Sequence, residues 1–427
     1  MTIATLFGSL FLFILLNVPI AIALGLSALL TIAFTTDLTV SIITQKAFTA
    51  LDSFPLMAIP FFMLAGILMG KGGVSKRLLD LATVLVGWMV GGLAMVTVVA
   101  CMFFAAISGS GPATVAAIGS FMVPAMKEKQ YGAGFAAALT ATAGSIGVII
   151  PPSIPFVLYG VIGSVSVGSM FLAGVLPGLL ISFGLMVISY IISKKNNYAP
   201  VTTERVTFGR VLRAVNEAKW ALLIPVIILG GIYGGIFSPT EAAVVAVVYA
   251  ALIGVFVHRE LGWKEVYDSL VEAVLINVST MIIIGLSISF AYIMTLEQIP
   301  NAIGQYITSL SDNKLVILLA INVFLLIVGM FIDTISALVV LTPILLPVVT
   351  QVGVDPIHFG VILVANLAIG FITPPLGVNL FVASSVSKVP LERITVAVIP
   401  FLIMMLITLF VITYVPTLST WLPSLFK

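Results

Sequence analysis

The chain has 427 residues, 61% of them hydrophobic and 8% charged, with a formal net charge of +2. A soluble domain carries roughly a quarter charged residues and could not cover its surface with so few, so the chain reads as an integral membrane protein. A near-zero net charge gives no electrostatic case for nucleic acid, one cysteine (Cys101) excludes an internal disulfide, and continuous rather than alternating apolar runs exclude a β-barrel.

A bilayer-spanning helix needs about 20 apolar residues, so the chain holds roughly ten to fourteen helical segments. The first 35 residues lack a basic leader and run too long for a signal peptide; they read as retained spans, 3–16 and 20–35, broken at Asn17-Val18-Pro19. Residues 54–70 form the next crossing, followed by an amphipathic piece near 76–87. No charge occurs from Trp88 to Met126. That stretch starts and ends near basic groups and is interrupted at Ser108-Gly109-Ser110-Gly111-Pro112, which predicts a re-entrant hairpin over about 88–126. A broken helix follows over about 133–162, interrupted from Gly144 to Pro152, and 170–193 returns. The polar segment 194–219 divides the chain. The expected organisation is a first repeat over 1–195, a cytoplasmic linker over 196–219 and a second repeat over 220–427. The second repeat contains a hairpin at about 315–349 and a broken helix at about 359–386.

Basic residues set the sidedness. Fifteen of the eighteen fall in five groups: Lys71 with Lys76 and Arg77, Lys127 with Lys129, six between Lys194 and Lys219, Arg259 with Lys264, and Lys388 with Arg393. The positive-inside rule puts these groups in the cytoplasm and both chain termini in the periplasm.

The two halves align at a spacing of 223 positions. Pro124 pairs with Pro347, Gly147 with Gly370, Pro151-Pro152 with Pro374-Pro375, Pro177 with Pro400, and the break at Ser110-Gly111 with Asp333-Thr334. Pro19 pairs with Pro239 at a spacing of 220. Basic loops of one half meet non-basic loops of the other: 71–77 falls on 295–301 at a spacing of 224, and the neutral loop 163–169 falls on 386–392, which carries Lys388. This is the pattern of an inverted-topology repeat. Together with four interrupted helices, it marks a secondary transporter. The fold class is therefore an all-α polytopic membrane protein with two re-entrant hairpins and two broken helices.

In hydrocarbon an interrupted helix leaves backbone groups unpaired at a cost on the order of several kcal/mol each, so breaks persist where they line a cavity or hold an ion. At the first tip, Ser108, Ser110, Gly111 and Thr114 supply carbonyls and hydroxyls. Gly144, Ser145, Gly147 and Pro151 form the facing break. Together they make a candidate sodium site; the alternative is a small-residue packing interface. At the second tip stands Asp333, the only charge between Lys314 and Asp355. A mid-membrane Asp costs about 3 kcal/mol on insertion scales and needs a cation or a donor partner. Thr334, Gly370, Thr373, Gly377 and Asn379 complete a second candidate sodium site, so at least two sodium ions are expected. No Lys or Arg lies near these breaks. An anionic substrate would instead meet helix N-termini, with Ser110, Pro112, Ser153, Thr334 and Pro375 as the candidate contacts. Glu241 after Ser238-Pro239-Thr240 reads as helix capping, and His258 and His358 as interfacial residues rather than ligands.

Enzyme readings fare poorly. An intramembrane serine protease built on Ser110 would need His258 or His358 as base, and both lie near membrane surfaces. An aspartyl type needs two mid-membrane carboxylates, and only Asp333 is present. No Walker motif supports ATP-driven transport.

Several stretches resemble the large membrane subunit of tripartite ATP-independent periplasmic (TRAP) transporters, and the resemblance runs over essentially the whole chain. They include Leu51-Asp52-Ser53-Phe54-Pro55-Leu56, Pro60-Phe61-Phe62, Ser108-Gly109-Ser110, Pro151-Pro152-Ser153, Gly174-Val175-Leu176-Pro177-Gly178, Phe237-Ser238-Pro239-Thr240-Glu241-Ala242, Gly329-Met330-Phe331-Ile332-Asp333 and Thr373-Pro374-Pro375-Leu376-Gly377. The resemblance implies an elevator-type fold, a separate small four-helix membrane subunit, a periplasmic substrate-binding protein and sodium-driven uptake across the bacterial inner membrane. It also implies an organic-acid substrate: sialic acid by overall likeness, with C4-dicarboxylates or other sugar acids as alternatives. By the same pattern the sodium sites fall at Ser108 to Thr114 with Gly144 to Pro152, and at Asp333-Thr334 with Gly370 to Asn379.

Overall fold

The computed structural model describes residues 2–426 apart from 37, 203–205, 301, 303–304 and 306–312. Regular structure among the described residues is entirely helical, and eight helices are long and apolar enough to cross a membrane. Helices α1 (Thr2–Leu15) and α2 (Ile20–Thr35) are separated at the expected break, where Asn17 takes a positive φ of 61°. The short α3 (Ser41–Leu51) and a single 3-10 turn, Phe54–Met57, lead into α4 (Ala58–Lys71). Next, α5 (Val74–Val86) buries Val74, Leu78, Leu81 and Ala82 while Lys76 and Asp80 stay exposed, as an amphipathic helix should.

The first interrupted region comprises α6 (Gly92–Ser108), α7 (Gly111–Glu128), α8 (Ala133–Gly144), a 3-10 turn at Ser145–Val148 and α9 (Ile154–Ile162), followed by α10 (Val167–Lys195). After it come α11 (Phe208–Tyr233), α12 (Pro239–Leu252) and α13 (Trp263–Leu296). The second region comprises α14 (Lys314–Phe331), α15 (Thr334–Gln351), α16 (Pro356–Gly370) and α17 (Val378–Ser387), followed by α18 (Leu391–Tyr414) and α19 (Thr417–Ser424).

Two sets of helices can be followed through the packing, and they also touch each other, α5 on α6 and α13 on α15. In one, α13 packs on α2, α3 and α4, α12 on α4, and α11 on α5. In the other, α7 packs on α6 and α8, α14 on α16, and α18 on α8 and α10. The short outer segments change halves: α17 packs on α7 and α8, while α9 packs on α15 and α16. The cores of the two interrupted regions are therefore built from both halves of the sequence. Tyr159 on α9 donates to the Pro356 carbonyl at 2.6 Å, and a side chain on Gly360 would overlap the Tyr159 ring.

Loop contacts form several clusters. Arg77 pairs with Glu260 at 2.9 Å and Lys71 with Glu272 at 2.7 Å. His258 Nδ1 lies 2.7 Å from the Gly72 carbonyl, and burial holds its pKa below the usual imidazole value. Lys127 Nζ donates to the Ser387 carbonyl at 2.5 Å, and the Tyr131 and Tyr198 rings stack at 4.0 Å. The basic segment 71–77 thus meets 258–272, and the 127–131 segment meets residues 198 and 387. Elsewhere, Thr240 donates to the Phe54 carbonyl, Tyr233 to that of Gly168 and Lys314 to that of Gly353.

Two details differ from the sequence reading, and parts of it fall outside the described residues. Helix α11 begins at Phe208, so the second part of the 196–219 linker is already helical, while its residues 203–205 lie outside the described residues. The counterpart loop 295–301 reaches position 301, also outside them, as are Met1 and Lys427 at the termini. His358 is 1% exposed rather than interfacial, its Nε2 lying 3.1 Å from the Thr413 carbonyl. The opposed loops give a test. Because Cys101 is buried, single cysteines at Lys129 and Gln351 can be labelled in the native chain by a membrane-impermeant maleimide. The inverted arrangement predicts Lys129→Cys reactive only from the cytoplasm and Gln351→Cys only from the periplasm; labelling from one side for both would refute it.

Candidate cation and substrate site

At the first tip the chain turns where Gly109 adopts φ +60°, a conformation glycine takes without Cβ strain. Ser110 then caps α7, its Oγ accepting from the Ala113 N–H at 3.5 Å. Ser108 Oγ lies 2.9 Å from Thr114 Oγ1, which donates to the Ser110 carbonyl at 2.8 Å; Ser108 and Thr114 are buried. The Gly109 carbonyl accepts from Ile154 N–H at 3.3 Å, stitching the tip to the broken helix. Gly147 lies directly against this group. A Cβ there would sit 2.5 Å from the Ser110 oxygen and 2.6 Å from Thr114 Oγ1. Gly144 has no room either, facing Val115. Neutral oxygens are thus gathered around glycine backbone, in a break buried from Gly144 through Ile149 and from Pro151 through Gly160.

The second tip has a different chemistry. Asp333 is the N-cap of α15: Oδ2 accepts from the Ile335 and Ser336 N–H groups, each at 3.1 Å, and Oδ1 accepts from Ser336 Oγ at 2.5 Å. A carboxylate at a helix N-terminus is favoured by three donors and by the dipole, which reduces the cost of holding the charge there. Thr334 is buried in the first turn. A side chain on Gly370 would overlap the Gly329 carbonyl, so the two backbones pack face to face. Leu376 N–H donates to the Met330 carbonyl at 3.3 Å, and Thr373 Oγ1 donates to Ile369 O at 2.8 Å. Gly377 turns the chain at φ +48° into α17. Both Pro-Pro bonds, Pro151-Pro152 and Pro374-Pro375, are cis. Unlike its counterpart, this break is open: Pro375 and Leu376 are exposed.

The residues expected to act together therefore form two clusters, with two departures. Ser108, Ser110, Gly111, Thr114, Gly144, Ser145, Gly147 and Pro151 gather around the first break; at the second, Gly370 packs on Gly329 and the turn before Gly377 bonds Met330, while Asp333, Thr334 and Thr373 make their polar contacts, where they have them, within their own turns. Asn379, grouped with the second break in the sequence, points its side chain into the first. Its Nδ2 donates to the Ala141 carbonyl at 3.0 Å and to Ser145 Oγ at 3.1 Å. Ser153, a candidate substrate contact, is buried and committed to its own turn, donating to the Val148 carbonyl at 2.6 Å and capping α9. Of the other candidate substrate contacts, Ser110 and Pro112 are half-buried at the first tip, Thr334 is buried and Pro375 is exposed. Glu241 and Ser238 form a reciprocal capping box, as their spacing indicated.

Sequence reasoning passed over Gly329 and Ser336, although a serine three places after an Asp cap is a local signal. It also passed over Asn322 and Asn366, amides inside apolar helices. Asn366 Nδ2 donates to Asn322 Oδ1 at 2.7 Å, and Asn322 Nδ2 donates to Thr413 Oγ1 at 3.0 Å, joining α14, α16 and α18.

Residues 7–418 match the family described as the DctM component of the tripartite ATP-independent periplasmic transporters. The chain belongs to this family. It is 52% identical to the isethionate TRAP transporter permease protein DctMQ of Oleidesulfovibrio alaskensis, over 97% of the chain, and it spans only 65% of that longer relative. It is 44% identical to the C4-dicarboxylate TRAP transporter large permease DctM of Pseudomonas aeruginosa, over 94% of each protein. Identity to the sialic acid TRAP large permease SiaM of Vibrio cholerae is 38%, over 96% of each. The fold resembles that of the YdaH transporter of Alcanivorax borkumensis, with a TM-score of 0.63 at 14% identity, covering 89% of this chain and 87% of the other.

The glycine contacts carry a prediction. Gly147→Ala forces a Cβ against the Ser110 oxygen and should destabilise the TRAP permease by about 1–3 kcal/mol, the usual cost of overpacking a filled core. It should also abolish transport. Gly8→Ala, where a Cβ meets open space, should leave both unchanged. A thermal melt of Gly147→Ala superimposable on wild type would remove the close contact.

Proposed function

We propose that this TRAP permease performs sodium-coupled secondary active uptake of a small organic anion across the bacterial inner membrane. A periplasmic binding protein delivers the substrate, and a small membrane subunit assembles with the permease. The observation that carries this reading is the buried cluster of Ser108, Ser110 and Thr114 oxygens closed over by Gly147. Neutral oxygens at short range suit a monovalent cation. A hydrogen-bonded carboxylate, Asp333, stands at the second break, where a second sodium would add charge balance. Helices α7, α9, α15 and α17 all begin at the breaks; the α15 start is occupied by the Asp333 carboxylate and the α9 start is buried under its Ser153 cap, so α7 and α17 are the ones whose positive dipole ends would meet an anion without any basic side chain. The two interrupted regions, with the helices packed on them, would move as one body against α1–α5 and α11–α13, an elevator motion.

The identities bear on the substrate. The isethionate and C4-dicarboxylate relatives match at 52% and 44%, the sialic acid relative at 38%. We therefore replace the sialic-acid expectation with a small anion of the sulfonate or dicarboxylate class. The fused relative that this chain covers in part supports the assembly with a second membrane component.

The test is uptake of radiolabelled isethionate and succinate into proteoliposomes containing the permease and its small subunit, with binding protein outside. We expect uptake of one of them only under an inward sodium gradient and only with binding protein present. Thr114→Val, which keeps shape but removes the hydroxyl, should reduce that uptake at least about tenfold, the scale of one lost charge-assisted ligand. Uptake equally fast in potassium, or unaffected by Thr114→Val, would contradict the sodium assignment.

A further inference from the structure

Asn379 joins the two breaks, its backbone in one and its side chain in the other. Its backbone belongs to the second: the Asn379 N–H donates to the Phe371 carbonyl at 3.0 Å, fixing the turn that follows Gly377. Its side chain belongs to the first. Both Nδ2 hydrogens are used there, on Ala141 O at the end of α8 and on Ser145 Oγ in the 3-10 turn. The residue is 0% exposed. Its Oδ1 is buried and has no hydrogen-bond partner. A buried amide oxygen left unpaired is unfavourable, and that cost is relieved by anything positive brought beside it. Gly111, the first residue of α7, lies against the same amide: a Cβ there would sit 3.4 Å from Nδ2 and 3.0 Å from the Phe371 ring. One short stretch of chain therefore touches the first tip, the first break and the second break together.

We propose that Asn379 is a positioning residue that couples the two cation sites, so that filling one sets the geometry of the other. This inference rests on the sodium-coupled reading above. A cation at the first break draws on the oxygens around Ser145 and on the free Asn379 oxygen. Any shift of the Asn379 amide is passed through its own backbone to Phe371 and Gly377, the walls of the second break. Coupling of this kind is reciprocal, so a cation at the second break strengthens the first by the same factor. The functional gain is that the transporter moves with both sites filled rather than one, which suppresses slippage of sodium without substrate. The alternative, a purely structural hydrogen bond, would hold the helices together and leave the two sites independent.

The experiment is the sodium-concentration dependence of substrate uptake by the assembled permease and its small subunit. It is paired with the sodium-concentration dependence of the thermal melt of the same purified complex. Wild type should give a Hill coefficient near two in both. Asn379→Ala and the milder Ser145→Ala should each lower it to about one and raise the half-saturating sodium concentration on the order of tenfold, within the range of ordinary allosteric coupling. The double variant should be no worse than the worse single, because both remove the same link. If Asn379→Ala does not assemble, Ser145→Ala, which removes only an acceptor hydroxyl, still decides the matter. Sodium-driven wild-type uptake with a Hill coefficient unchanged in Ser145→Ala overturns the coupling alone. Wild-type uptake and melting independent of sodium overturn the sodium reading and the coupling with it.

Discussion

The structure depends on one constraint: inside a membrane every backbone N–H and C=O must find a partner within the protein. Four helices here stop and restart in chains that are otherwise apolar. Three contacts show how the stops find partners in neighbouring segments. The Gly109 carbonyl needs the Ile154 amide, the Met330 carbonyl needs the Leu376 amide, and the Ala141 carbonyl, one turn before the first break, is met by Asn379. A break placed at the lipid face would leave these groups bare. The interrupted segments are therefore drawn into contact with one another, and the outer segments α9 and α17 are drawn across to the opposite half of the chain.

Close approach follows from the same constraint. Gly147 against Ser110 and Gly370 against Gly329 are backbone-to-backbone contacts in which a Cβ has no place. At each break the second glycine brings a carbonyl-rich turn against a tip. In the first repeat that geometry concentrates hydroxyl and carbonyl oxygens with no charge. In the second it places a carboxylate at a helix start. The two breaks thus share close glycine contacts and cis Pro-Pro bonds and divide the chemistry. The open second break, with Pro375 and Leu376 exposed, contrasts with the closed first one.

Much of this was legible in the sequence because it is written in residues with few alternatives. Proline pairs at a constant spacing, glycine runs inside apolar helices and clustered basic residues each have a narrow physical meaning, and the helix breaks fell where those residues stand. What was not legible depended on contacts between distant segments. Asn379 sits ten residues after Ile369 in a turn that looked local, yet its side chain serves Ala141 and Ser145, more than 230 positions away. Asp333 read as needing a cation or a donor, and its donors, two backbone amides and Ser336 Oγ, exist only once α15 is formed. His358 read as interfacial because it follows a loop, and only the packing of α18 over α16 buries it.

The central claim is that the interrupted helices are cation sites, and the most direct measurement is equilibrium binding rather than transport. The purified permease with its small subunit would be melted across a series of sodium chloride concentrations at constant ionic strength, balanced with potassium or choline chloride. A ligand that binds only the folded state stabilises it by an amount that grows with the logarithm of its concentration above Kd, about 2.7 kcal/mol at a hundred times Kd. The account predicts a saturable rise in melting temperature with sodium, absent with potassium and choline, and smaller and shifted to higher sodium in Thr114→Val. Identical melting in all three salts would contradict it, and would leave the clustered oxygens of Ser108, Ser110 and Thr114 as a packing device for two close helices.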